Sequence, residues 1–254
     1  KWIDCGRTWV EGCEITAFGH AGVSGDEQGV TLLRNWIHHN GTSGLNHGIY
    51  WAGEGPSWVI GNTFYGNAGW GFHNHQGAYD GWRGWKHYVH HNLFIGPGGA
   101  IVTTGSRGRY YHNTIIRASN AAFWFYNDGH RDNLVANNII VGSANSLHTR
   151  DGNTFTHNLT FGQKTFLGEA PIHGDPLFVD AAKHDYRLRP DSPARNVGTP
   201  VGLSNNPKPT IGAYDGNPSL APPKPLPRYV PAALQNATER LRKLEPKLPE
   251  PQRR

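Results

Sequence analysis

The feature that most constrains this chain is a frame repeated seven times between Trp9 and Phe161. It runs apolar residue, two variable residues, polar turn residue, one more, then a second apolar residue, which is Thr in the last copy. The copies are Val10-Glu-Gly-Cys13-Glu-Ile15, Leu32-Leu-Arg-Asn35-Trp-Ile37, Val59-Ile-Gly-Asn62-Thr-Phe64, Val89-His-His-Asn92-Leu-Phe94, Tyr110-Tyr-His-Asn113-Thr-Ile115, Val135-Ala-Asn-Asn138-Ile-Ile140 and Phe155-Thr-His-Asn158-Leu-Thr160. The fourth position is Cys once and Asn six times, and successive copies lie 22, 27, 30, 21, 25 and 20 residues apart. A period of this size means a stacked array in which each unit buries its face only against its neighbours. The units are short β-type runs broken by Gly, Asn and Ser, without helical periodicity. They predict an all-β chain wound as a parallel β-helix, one coil per repeat. Stacked Asn side chains would bond to one another and to turn backbone groups otherwise buried unpaired. Chance Asn-rich loops between sandwich strands are the weaker alternative.

At 254 residues the chain is long enough for one solenoid with small appendages. Residues 1–215 are expected to form the β-helix domain, with Asp175–Asp180, Asp185–Asn196 and Pro209–Asp215 as its closing coils and cap. Residues 216–254 read as a Pro-rich extension, a short amphipathic helix over Pro231–Leu244 and a weakly basic tail. A β-helix needs its first coil covered, so a larger N-terminal segment is expected beyond Lys1–Arg7. Cys5 and Cys13 are the only cysteines. They predict either a disulfide clip on the first coil or two free thiols, with Cys13 buried in the Asn column.

The net charge of +5 does not identify a partner. Lys1–Gly162 holds 10 Lys/Arg against 10 Asp/Glu, and Gln163–Arg254 holds 14 against 9, so the coils are neutral and the excess lies after them. No nucleic-acid partner is expected on that distribution. No apolar run is long enough to span a bilayer.

Each turn residue of the first six repeats is followed by a second strand, and strand alternation sorts its residues. Val23, Ile49, Phe72, Ile101, Phe123 and Leu147 fall in one inward column. The next residues, Ser24, Tyr50, His73, Val102, Trp124 and His148, point to solvent. So do Asp26, Ala52, His75, Thr104, Tyr126 and Arg150, two positions further on. One outer face should therefore carry a ribbon of Tyr, Trp and His. The turn after this strand varies most in length, and its longest version, Gln76–Lys86, holds Asp80, Trp82, Arg83, Trp85 and Lys86. Repeat proteins place such insertions on one face, often the binding face. His90, His91, His112 and His157 precede the Asn column and are assigned to structural turns.

The coils resemble the right-handed parallel β-helix superfamily of pectate-lyase-like proteins through Asn35-Trp-Ile-His-His-Asn40, Gly61-Asn-Thr-Phe-Tyr-Gly-Asn67 and Asn137-Asn-Ile-Ile-Val-Gly142. Asp175-Pro-Leu-Phe-Val-Asp180, Asp185-Tyr-Arg-Leu188, Ser192-Pro-Ala-Arg-Asn196 and Ile211-Gly-Ala-Tyr-Asp215 are similar to the closing segment of many bacterial secreted β-helix proteins. The resemblance covers roughly Trp9 to Asp215 and implies the fold and an exported protein. It does not specify an activity, because the fold hosts lyases, hydrolases, epimerases and proteins without catalysis. No Asp-Pro-His motif of the epimerase kind is present, and no carboxylate pair of polygalacturonase type is recognisable.

Flat aromatics stack on sugar faces and polar groups fix their orientation. Tyr50, Trp82, Trp85 and Trp124 supply the former, with His148 beside them. Arg83, Lys86, Arg107, Arg109, Arg117 and Arg131 face a single acid, Asp128, over that stretch. All but Arg117 are assigned to turns on the ribbon side, where guanidinium forks would match the carboxylates of an acidic polysaccharide. β-Elimination of a uronate needs a group neutralising the carboxylate, a base for the C5 proton and an acid for the leaving oxygen. Arg83 or Arg107 is assigned to the first role, His75 or Lys86 to the second and Tyr126 to the third, with His73 beside them. The resemblance also implies Ca²⁺, for which Asp26, Glu27, Glu54 and Asp80 are the nearest carboxylates. A transition metal on His73, His75 and His148 is the weaker alternative. Two rival functions stand beside a lyase: a non-catalytic glycan-binding or scaffold solenoid, and a glycoside hydrolase using Asp80 with Glu54.

Overall fold

The computed structural model describes residues 8–26, 29–53, 56–75, 87–96, 98–126, 131–144, 152–162, 168–202 and 205–214, and residues 147–148 in backbone alone. The chain divides into two compact units, Lys1–Pro222 and Pro223–Arg254, and every described residue lies in the first.

The short apolar runs pair in parallel with their counterparts one repeat away, giving a β-solenoid of about 6 turns. The coils contribute strands to three sheets, of seven, eight and six strands among the described residues. The first sheet holds Thr8–Glu11, Val30–Leu33, Ser57–Ile60, His87–His90, Arg109–Tyr111, Leu134–Ala136 and Thr154–Thr156. The second holds Glu14–Thr16, Trp36–His38, Thr63–Tyr65, Leu93–Ile95, Thr114–Ile116, Ile139–Val141, Leu159–Phe161 and Ile172–His173. The third holds Val23–Gly25, Ile49–Trp51, Phe72–Asn74, Ile101–Thr103, Phe123–Phe125 and Leu147–His148. The arrangement is consistent with a right-handed β-helix, the hand general to parallel crossovers. Among the described residues the only helix is one 3₁₀ turn, Ala181–Lys183, and none is long and apolar enough to cross a membrane.

The Asn column is a hydrogen-bonded ladder inside the turn between the first and second sheets. Asn62 donates from its backbone N and from Nδ2 to Asn92 Oδ1, at 2.9 and 3.1 Å, and Asn92 donates likewise to Asn113 at 3.1 and 3.0 Å. The same pair of bonds joins Asn35 to Asn62, Asn113 to Asn138 and Asn138 to Asn158. The residue before each ladder Asn must turn left-handed: Arg34, His91, His112, Asn137 and His157 have φ between 50 and 57°. That conformation costs about 1–2 kcal/mol per residue, and two rung bonds worth about 1 kcal/mol each offset it. His91, His112 and His157 therefore belong to the turn, as assigned, whereas His90 ends the strand His87–His90, which corrects its assignment. Cys13 is the outermost rung: its backbone N donates to Asn35 Oδ1 at 3.0 Å. Because no described coil lies outside it, its thiol is exposed rather than buried, which corrects that expectation. Cys5 is outside the described residues.

Two further Asn pairs escape the sequence frame. Asn40 donates from N and Nδ2 to Asn67 Oδ1 at the turn after the second sheet, and Asn133 donates likewise to Asn153. With only two members each, neither makes a period.

The inward columns fill the bore. Leu32, Ile37, Val59, Phe64, Val89, Phe94, Tyr110, Ile115, Val135 and Ile140 are buried in one continuous core with Ile49, Phe72, Ile101 and Phe123. Phe64 and Phe94 stack at 4.5 Å, one coil apart. Each such side chain contributes about 1.5–3 kcal/mol by leaving water.

The described part of the closing segment runs along the side of the cylinder. Phe178–Asp180 pairs antiparallel with Asp185–Leu188, and Tyr186, Ala213 and Tyr214 pack on Leu93 and Ile116 of the second sheet. Ala194 and Ile211 pack on Ile139 and Leu159. Backbone bonds complete the seal, Gly212 N to Asn137 O at 2.9 Å and Ala213 N to Thr114 Oγ1 at 2.9 Å. The reason is in the strands: from Leu93-Phe94-Ile95 onward the second sheet is apolar on both faces, and its outer face needs cover. The expected helix over Pro231–Leu244 lies outside the described residues.

Candidate active site

Among the described residues, no further strand covers the outer face of the third sheet. Its register aligns Ser24, Tyr50, His73, Val102, Trp124 and His148 in one row, as alternation requires. Backbone bonds then carry Ala52, His75, Thr104 and Tyr126 out of the sheet in the same direction: Ala52 N donates to Gly25 O, His75 N to Trp51 O, Thr104 N to Asn74 O and Tyr126 N to Thr103 O.

Four rings of this wall converge. His73 and His75 have centroids 5.9 Å apart, Tyr126 lies 5.9 Å from His73 and 6.1 Å from His75, and Tyr50 lies 5.0 Å from His73. Tyr126 comes from two coils further along, so its side chain reaches back over the coil of Val102 and Thr104. Trp124 extends the patch, 5.4 Å from Tyr126 and 5.7 Å from Trp70. These rings explain one departure from the expected ribbon. Val102 points outward, yet it is 1% exposed, because Trp70, Ala121 and Tyr126 close over it. A small residue there leaves room for Tyr126 to lie flat.

A hydrogen-bonded chain runs behind the rings. Trp70 N donates to His47 Nδ1 at 3.1 Å, His47 Nε2 lies 2.9 Å from His73 Nδ1, and His73 Nε2 lies 3.3 Å from Tyr126 Oη. Burial, with His20 adding to it, lowers His47 to about 4. Burial, followed by His47 and His75, lowers His73 to about 3. Both are neutral at pH 7. Burial, with Tyr50 adding to it, pushes Tyr126 up to about 12, so its phenol keeps its proton. A neutral imidazole pair feeding a protonated phenol suits proton transfer rather than charge pairing.

The basic residues divide. Arg107 and Arg131 are exposed in the turn between the third and first sheets, where Arg107 N donates to Arg131 O at 2.8 Å. Arg109 departs from its expected place: it opens a strand of the first sheet, and its Nη1 donates to the carbonyls of Arg107, Gly108 and Asp132. It ties its own turn together. Asp26 follows the first strand of the third sheet, on the line that leads to His75. Glu27, Glu54, Asp80, Trp82, Arg83, Trp85 and Lys86 lie outside the described residues. His148 is placed by its backbone one coil beyond Trp124, and its side chain lies outside the description.

Ca²⁺ takes 6–8 oxygen ligands. Among the described residues of this wall Asp26 is the one carboxylate, so they supply no coordination sphere, and no step below passes through a metal. Among the described residues no group of three or more His, Cys, Asp and Glu is placed to hold a metal ion. Both ring nitrogens of His73 face partners in the chain above, which does not suit the transition-metal alternative.

Sequence reasoning did not single out His47. It precedes the third-sheet strand of the second coil, and its only signal is that this turn, Gly41–His47, is an insertion. Comparison with protein-family models, with curated proteins and with solved structures returns no match.

Proposed function

We propose that the open wall of the third sheet binds an acidic, uronate-containing polysaccharide and cleaves it by β-elimination, in an exported protein of the pectate-lyase-like β-helix kind. The observation that carries this reading is the meeting of His75 and Tyr126 from different coils on one exposed face, with a neutral His73 bonded to the phenol. His75 takes the C5 proton of the uronate. The electron pair forms the C4–C5 double bond, the C4–O bond breaks, and Tyr126 gives its proton to the leaving oxygen. Tyr126 recovers a proton from solvent, and His75 releases one. Arg107, the described one of the two candidate arginines, is assigned to the uronate carboxylate, whose neutralisation acidifies the C5 proton. Tyr50 and Trp124 offer apolar ring surface to sugar faces on either side of the proton-transfer pair. They stand three coils apart, about 14 Å at the usual strand spacing, which accommodates a short run of sugar residues.

The test is a panel of pectate, alginate and glycosaminoglycans followed by ultraviolet absorbance of the unsaturated uronate. Absorbance that rises with wild type and is lost in His75→Ala and Tyr126→Phe supports elimination. Reducing ends without absorbance would point to a hydrolase, and retention without product to a glycan-binding solenoid.

A further inference from the structure

We propose that His47 is a positioning residue that locks His73 in the tautomer whose Nε2–H meets the Tyr126 hydroxyl. The assignment follows from one fixed proton. A backbone N–H only donates, so Trp70 N makes His47 Nδ1 an acceptor at 3.1 Å. The neutral imidazole of His47 must then carry its proton on Nε2, 2.9 Å from His73 Nδ1. His73 Nδ1 is thereby an acceptor, and its own proton sits on Nε2, 3.3 Å from Tyr126 Oη. With Tyr126 Oη accepting there, the phenol proton points away from His73 Nε2. One main-chain amide thus sets the direction of three successive hydrogen bonds, ending at the group assigned as the acid.

The surroundings of His47 hold it rigidly. The insertion that carries it is folded around Asn46, whose Oδ1 accepts from Thr42 N, Thr42 Oγ1, Ser43 N and Ser43 Oγ at 3.0–3.2 Å. Asn46 O in turn accepts from Gly69 N at 2.7 Å. A Cβ at Gly69 would stand 2.6 Å from His47 Nδ1, so only glycine lets the two segments come this close. His47 is buried, and its ring lies parallel to Tyr50 at 5.7 Å. The insertion thus works as a clamp on the catalytic wall from behind.

The catalytic consequence rests on the lyase reading, but the tautomer does not, and the experiment keeps them apart. Ring-nitrogen NMR of wild type should show His73 with Nδ1 as acceptor and Nε2 protonated. His47→Gln can accept from Trp70 N with its oxygen and donate to His73 with its amide, so it should keep that tautomer. His47→Phe can do neither, and His73 should become a tautomer mixture. Hydrogen-bond partners that orient a metal-bound histidine are typically worth about 10–100-fold; by analogy His47→Phe should lower kcat by about that factor with KM little changed. Two outcomes overturn the proposal: a wild-type His73 protonated on Nδ1, or a folded His47→Phe protein with the His73 tautomer unchanged. If His47→Phe does not fold, the wild-type and His47→Gln spectra still decide. If the tautomer is as stated and no polysaccharide is cleaved, His47 keeps its positioning role and the lyase reading falls.

Discussion

The second and third sheets are built from the same coils, but their outer faces have opposite fates. From the fourth coil onward the second sheet turns Leu93, Ile116, Ile139 and Leu159 outward, and the closing segment covers them with Tyr186, Ala194, Ile211 and Tyr214. The third sheet turns out Tyr50, His73, Trp124 and, just beyond the strands, His75 and Tyr126. Tyr126, with Trp70 and Ala121, covers Val102, and the rings themselves stay partly accessible, with Trp124 36% exposed. An aliphatic wall leaves the chain no choice but to bury it. A wall of amphipathic rings can satisfy its polar atoms within itself and keep one side for a ligand. In a solenoid the inward columns fill the core, and the outward columns decide which side is sealed and which is left accessible.

The largest effect that would break this contrast is on the sealed wall. Ile211→Asp puts a carboxylate among Ile139, Leu159 and Ala194, and should cost about 3–5 kcal/mol or prevent folding. Denaturant unfolding checks it. An outward substitution of the open wall should do the reverse. Tyr126→Phe removes the proposed proton donor and should lower turnover by about 100-fold or more while shifting stability by about 1 kcal/mol at most. If both variants cost similar stability and spare activity, the two walls do not differ in role.

Acid sharpens the comparison because both walls carry buried histidines. On the open wall, His47 and His73 are lowered to about 4 and 3. Beside the sealed wall, burial lowers His90, His91 and His112 to about 3, 4 and 3, with neighbouring histidines adding for His90 and His112. A histidine depressed below its unfolded value of about 6.5 contributes full stability above that pH and loses it as pH falls towards the folded value. The thermal midpoint should therefore be level near pH 7–8 and fall steadily from about pH 6.5 to about pH 4. At the sealed wall the cause is specific. His112 Nε2 accepts from Asn137 Nδ2 at 3.2 Å, and Asn137 holds Thr199 of the closing segment through bonds of 2.7 and 3.0 Å. Protonating His112 opposes that contact, so proteolysis of the closing segment should quicken in the same pH range. A level midpoint down to pH 4 would contradict the neutral, buried state of these rings.

The smallest expected effect is on binding. Trp124→Ala removes one stacking surface worth about 1 kcal/mol, so KM or Kd should rise about 5-fold with little change in kcat. An unchanged KM would take Trp124 out of the ligand path.

The coil frame was legible because each repeat writes the same residue at the same rung. Six Asn in register leave little freedom, and the inward apolar columns follow from alternation alone. Tyr50, His73, His75, Trp124 and Tyr126 were legible as one wall for the same reason. The side-on path of the closing segment was not read, although Leu93-Phe94-Ile95 and Ile139-Ile140-Val141 carried the signal of strands apolar on both faces. Val102 was misplaced in solvent because alternation gives direction and not cover. Arg109 was assigned to a turn because the boundary between loop and strand shifts by a residue or two without a sequence marker.

What the sequence determined by itself is the winding. Short-range alternation and a repeated hydrogen-bonding residue fix a periodic structure one coil at a time. What only the tertiary structure decided is the connection between coils of different length. Tyr126 meets His73 across 53 positions of chain, and His47 enters from an insertion that obeys no period. Such contacts depend on how far a side chain reaches across stacked layers and on which backbone amide faces it, and local pattern encodes neither.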